Sequence, residues 1–126
     1  MKKIFQSIYP SLIWTGIIFW LLTTNSSRSK SFSLIKSIPH VDKLIHWVLF
    51  TVFALLWSLF LGSRVKVEVK WGLGFLIFLA GSAYGMGLEF IQLYFTNRSF
   101  SWWDGLADAV GAAFGSWIAI KKPLWK

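Results

Sequence analysis

The 126-residue chain has no cysteine, few acidic residues (five) and little charge of any kind, 14% in all. Without cysteine there is no disulfide scaffold, no thiolate zinc site and no thiol catalysis. Soluble domains carry about 25% charged residues, and a soluble fold of this size has too little interior to hide the apolar surplus seen here. That surplus is 56% hydrophobic residues, with nine Trp and twelve Phe. The length is that of a single domain, with no repeat or internal boundary. Thirteen basic residues give a net charge of +8. They sit in short stretches between long apolar runs and form no stripe, which excludes a nucleic-acid surface.

Four apolar segments are expected to be membrane spans, at about 6–24, 44–61, 71–90 and 103–120. A hydrocarbon core takes about 20 helical residues to cross, with a working range of 17–25. The second and third segments fit well, and the first and fourth reach the range with their polar fringes. Connectors as short as nine residues leave almost no sequence to make a soluble surface. Lys2 and Lys3 before an apolar run are also how a signal peptide begins. No small-x-small cleavage site follows, so a retained first helix is expected. The fold class is therefore an all-α integral membrane protein, a single domain of four transmembrane helices.

Lys and Arg placement gives the orientation, because cytoplasmic loops hold the excess. One side carries Lys2, Lys3, Arg64, Lys66, Lys70, Lys121, Lys122 and Lys126; the other carries Arg28, Lys30, Lys36, Lys43 and Arg98. Both termini are expected inside, in a bacterial cytoplasmic membrane. Trp20, Trp47, Tyr94, Trp102 and Trp103 fall at outer helix ends, and Trp57, Trp71, Trp117 and Trp125 at inner ones, as aromatic belts do.

This topology gathers the unusual residues on one face of the bilayer. Asp42, Lys43 and His46 open the second span, Glu89 and Gln92 close the third, Arg98 lies in the outer loop, and Asp104 and Asp108 open the fourth. Asp42 with His46, Glu89 with Gln92, and Asp104 with Asp108 stand three or four apart, so each pair shares a helix face. Gly81 and Gly85 continue the Glu89 face, and Gly111 and Gly115 continue that of Asp104 and Asp108. Small residues four apart let membrane helices approach closely. The expected result is an outward-facing polar pocket between the second, third and fourth spans. A structural reading stands beside it: an Asp at a helix start can cap free N–H groups and favour the dipole. That accounts for Asp42 and Asp104 and extends, less directly, to Asp108, but not to Glu89 at the end of a span.

The series Asp42-Lys43-x-x-His46, Glu89-x-x-Gln92, Arg98 and Asp104-x-x-x-Asp108-x-x-Gly111-x-x-x-Gly115 resembles the VanZ-like family of small bacterial membrane proteins. Each piece is weak alone, but their order and placement on successive spans are specific. Two positions depart from the family pattern: Thr96 stands where Pro is frequent, and Asp108 where Asn is usual. The resemblance implies a multi-pass envelope protein, and a link to tolerance of the glycopeptide teicoplanin. Some relatives carry a phosphotransbutyrylase label, and that soluble acyl-transfer chemistry finds no support in these residues.

Three functions compete. In the first, the protein is not an enzyme but binds a lipid-linked cell-wall precursor, a phospholipid or a glycopeptide-related anion. Lys43 and Arg98 would contact the anion, with Glu89 and Asp104 holding them. In the second, the protein acts on a lipid or polyprenyl phosphate head group, with His46 as base or nucleophile oriented by Asp42. In the third it moves protons, though every intramembrane ionisable group lies on one side. A homo-oligomer is compatible with each. No P-loop, dinucleotide fingerprint or Ser nucleophile motif is present, so no cofactor is expected. His46 with Glu89, Asp104 and Asp108 is an alternative divalent-cation set, but one nitrogen among several oxygens suits magnesium, manganese or zinc poorly, so no metal is expected.

Overall fold

The computed structural model describes residues 2–23, 41–95 and 102–121, and these residues are helical throughout apart from short turns. A single turn, α1 (Lys2–Phe5), leads into α2 (Ile8–Thr23); α3 (Val41–Gly62) follows. A 3-10 turn (Val67–Val69) then leads into α4 (Lys70–Phe95), and α5 (Trp102–Lys121) completes the fold. The expected second and third spans are the two helices long and apolar enough to cross a membrane. Helix α2 has 16 residues, about 24 Å at 1.5 Å per residue. The expected first span is broken ahead of it, where the Ser7 hydroxyl bonds the Ile4 carbonyl at 2.6 Å and closes α1.

Local chemistry sets the ends. After Gly62 the Arg64 guanidinium turns back and donates to the Phe60 carbonyl at 2.7 Å and to that of Gln6 at 3.0 Å. It lies 4.0 Å over the Phe60 ring. A cation there satisfies orphan carbonyls and suits the dipole. At the same end of the bundle Lys121 lies 4.7 Å over the Trp117 ring.

The helices alternate in direction, so the start of α2 and the end of α5 lie together. The α3–α5 contact is the most extensive, followed by α4–α5. Its register is parallel: Gly111 faces Trp47, and Gly115 faces Thr51 and Ala54. Helices α4 and α5 are antiparallel, with Gly85 on Asp108, Gly81 on Ala112 and Gly74 on Ile120. Helix α2 is attached differently. Trp14 donates to the Leu49 carbonyl at 2.9 Å, Trp57 to Thr15 Oγ1 at 3.1 Å, and the Tyr84 hydroxyl to the Thr15 carbonyl at 2.8 Å. Between these bonds Phe53 stacks on Tyr84, with ring centroids 5.7 Å apart, against a core of Ile18, Leu22, Leu49, Phe50 and Leu88.

The distribution of polarity is the reverse of a water-soluble fold. His46, Thr51, Ser58, Glu89, Gln92, Asp108 and Ser116 are buried, while Tyr9, Trp20, Trp71, Phe75, Tyr94, Phe95 and Trp102 are each more than 60% exposed. Exposed apolar side chains of this kind are compatible with a lipid surround, which the two candidate spans also suggest.

Candidate functional site

The polar cluster forms because three helices bring one side chain each to the same level. His46 is in the second turn of α3 and Asp108 in the second turn of α5, and the parallel α3–α5 register sets them side by side. His46 Nδ1 lies 2.7 Å from Asp108 Oδ1, the distance of a charge-assisted hydrogen bond with the imidazole donating. The antiparallel α4–α5 register that pairs Gly85 with Asp108 puts position 89 level with position 104. One ligand atom each from His46, Glu89 and Asp108 then lie within 4.8 Å of one another, and all three residues are buried. Asp104, in the first turn of α5 and 13% exposed, faces the other imidazole nitrogen, with Oδ2 3.8 Å from Nε2. That separation is an electrostatic contact rather than a hydrogen bond.

Glycine makes this closeness possible. A Cβ on Gly111 would overlap the Trp47 carbonyl oxygen, and one on Gly115 the Thr51 carbonyl oxygen. A Cβ on Gly85 would lie 2.7 Å from the Asp108 Cβ. The four glycines expected to pack helices, Gly81, Gly85, Gly111 and Gly115, are all buried at these crossings. A carboxylate and an imidazole inside an apolar bundle are costly unless they satisfy each other, and the short His46–Asp108 bond does part of that. His46 Nε2 and Asp108 Oδ2 remain buried without a hydrogen-bond partner among the described residues. In the neutral tautomer whose Nδ1 donates to Asp108, Nε2 is a lone-pair nitrogen, the form that serves as base or ligand.

The structure therefore brings together His46, Glu89, Asp104 and Asp108. Gln92 belongs to the neighbouring contact: its amide donates to the Leu22 carbonyl in the last turn of α2, where a helix has no partner of its own. Lys43 is half-buried one turn before His46. Asp42 starts α3, its side chain lies outside the described residues, and so does all of Arg98. Asp108 lies beyond the first turn of α5 and is fully buried, so the capping reading does not apply to it. Helix α4 continues to Phe95, which leaves Glu89 more than a turn inside the helix rather than at its terminus. Thr51, which reads in the sequence as a polar interruption, has a further part: its backbone is the floor on which Gly111 and Gly115 rest. Nothing in a one-dimensional pattern marks that.

Two apolar cavities lie among the described residues away from the cluster. An apolar cavity of about 420 Å³ is lined by Thr15, Phe53, Trp57, Ile77, Ala80 and Tyr84. A second, of about 290 Å³, lies against Trp71, Phe78, Ser116 and Trp117.

No curated protein and no solved structure matches the chain. The family model described as VanZ/LLP1 matches residues 7–125, nearly the whole length, and so includes every residue of the cluster. On that match the chain belongs to the VanZ/LLP1 family.

Proposed function

We propose that this VanZ-like protein spans the bacterial cytoplasmic membrane four times with both termini inside, and binds an anionic, lipid-linked head group at the outer end of α3, α4 and α5. The observation that supports the reading is the convergence of His46, Glu89, Asp104 and Asp108 from three helices at the end of the bundle that also carries Lys43. In this reading the carboxylates hold the cations that contact the anion and do not touch it themselves. The opposite end holds Lys3, Arg64, Lys66, Lys70 and Lys121, the excess expected of the cytoplasmic side. Lys43 and Arg98 supply cations at the outer end, where the sequence puts both. The head group is that of a phospholipid or a cell-wall precursor, and through it the protein affects glycopeptide tolerance.

The test is expression of the wild type and of Lys43→Ala and Arg98→Ala variants in a teicoplanin-sensitive host, with native mass spectrometry of the purified proteins. A lipid retained by the wild type and lost by both variants, with a parallel fall in tolerance, is the expected result. Equal lipid and equal tolerance in all three would sink the reading and leave the charges as helix-packing groups.

A second reading rests on the 2.7 Å contact between His46 and Asp108. An imidazole oriented by a carboxylate is the pairing used for proton abstraction, and here Asp108 takes the orienting role expected of Asp42. Turnover of a polyprenyl or phospholipid phosphate by the wild type, abolished in His46→Ala, would support an enzyme over a binder.

A further inference from the structure

We propose that His46, Glu89 and Asp108 form a binding site for one divalent transition-metal ion, zinc or manganese, buried between α3, α4 and α5. The site needs no lipid, although it uses three of the residues on which the head-group reading rests.

The first argument is geometric. One ligand atom from each residue lies within 4.8 Å of the other two. Ligands around a zinc ion, each about 2.0–2.2 Å from the metal, stand roughly 3.5 Å apart. Coordination requires these atoms to approach one another by about an ångström. Because each ligand comes from a different helix, the ion joins all three.

The second argument is independent of the acids' proximity. Asp108 is fully buried and His46 is 1% exposed, yet Asp108 Oδ2 and His46 Nε2 have no hydrogen-bond partner among the described residues. Buried polar atoms are normally satisfied, and those that are not call for an explanation, an ion among them. An ion on the Asp108 side takes the place of the proton that His46 Nδ1 gives Asp108 Oδ1 at 2.7 Å. That proton moves to Nε2, which then donates to Asp104 Oδ2, now 3.8 Å away. Metal-ligating histidines almost always donate their second ring N–H to a carboxylate or carbonyl in this manner. Nε2 thereby gains an acceptor, and Asp108 Oδ2 finds its partner by joining Oδ1 on the ion.

The donor set chooses the metal. One imidazole with carboxylates is a mixed nitrogen–oxygen set, which zinc and manganese accept and which calcium and magnesium, as all-oxygen ions, do not favour. By donor type alone, one nitrogen among several oxygens is a weak case for a metal. What the fold adds is position: it buries that histidine and two carboxylates within reach of one ion.

The experiment uses the full chain without a histidine tag, purified in detergent and stripped with chelator. It is then equilibrated separately with zinc and manganese salts, desalted and analysed for metal. The wild type should hold about one equivalent of one of them. His46→Ala and Glu89→Gln should retain less than about a tenth of that, and Asp104→Asn should bind at least about tenfold more weakly. Glu68→Gln, at an exposed position in the opposite loop, should match the wild type. X-ray absorption on the loaded wild type needs no variant to fold and should show an imidazole in a nitrogen–oxygen shell. Sub-stoichiometric wild-type metal, equal loading of folded His46→Ala and Glu89→Gln, or a shell without imidazole would each overturn the proposal. Lipid retention and tolerance are not read here, so an absent metal leaves the head-group reading to its own test.

Discussion

Replacing Gly111 with alanine tests the close approach on which the polar cluster depends. The added methyl meets the Trp47 carbonyl oxygen inside van der Waals contact and the Thr51 nitrogen at 3.2 Å. Both are backbone atoms, so no side-chain rotation relieves the clash and α3 must move away from α5. Overpacking of this sort costs about 1–3 kcal/mol, opposed by the gain in helix propensity of alanine over glycine, about 1 kcal/mol. Separation also lengthens the 2.7 Å His46–Asp108 bond, and losing a hydrogen bond to a charged group costs a further 1.5–3 kcal/mol or so. The net expectation is a loss of roughly 2–5 kcal/mol on those figures. Gly87→Ala is the control: nothing lies within 4 Å of a Cβ there, so only the propensity term acts and the variant should be as stable as wild type or more so. The assay is the thermal midpoint of the purified chain in detergent, followed by size-exclusion chromatography. Because the chain has no cysteine, an introduced pair across α3 and α5 also reports their separation by its crosslinking rate. Equal midpoints for Gly111→Ala and Gly87→Ala, with unchanged crosslinking, would refute the α3–α5 register described above.

The remaining predictions concern single contacts. A double-mutant cycle on His46→Ala and Asp108→Asn should give a coupling energy above about 1 kcal/mol, with either single change costing about 3–5 kcal/mol because it strands a buried partner. Additive losses would show that the two groups do not interact. Gln92→Ala leaves the Leu22 carbonyl without its donor, and should cost about 1–3 kcal/mol. Hydrogen exchange should rise in the last turn of α2 and stay unchanged in α5.

Much of this was legible before any coordinates. Long apolar runs in a chain with so little charge point to helices, which satisfy their own backbone N–H and C=O groups as a lipid surround would require. The pairs three and four apart put Glu89 with Gln92 and Asp104 with Asp108 on single helix faces by helix geometry alone, and the glycines at 81, 85, 111 and 115 marked the faces that would meet. The ends were less legible. Helix α4 runs to Phe95 rather than 90, because Leu93, Tyr94 and Phe95 are as compatible with lipid as the span before them. The first span breaks near Ser7, where a hydroxyl competes for the backbone.

Helix type, approximate span positions and the segregation of polar groups at one end follow from the sequence itself, since periodicity and hydropathy are local properties. Which polar group meets which partner belongs to the tertiary structure. Asp108 binds His46, Asp104 faces Nε2 from the other side, and the Gln92 amide donates to the Leu22 carbonyl of α2. Those pairings depend on the relative register of α3, α4 and α5. Register is set by backbone contact at Gly111 and Gly115, between atoms more than sixty residues apart in the chain, a distance over which no sequence spacing carries information.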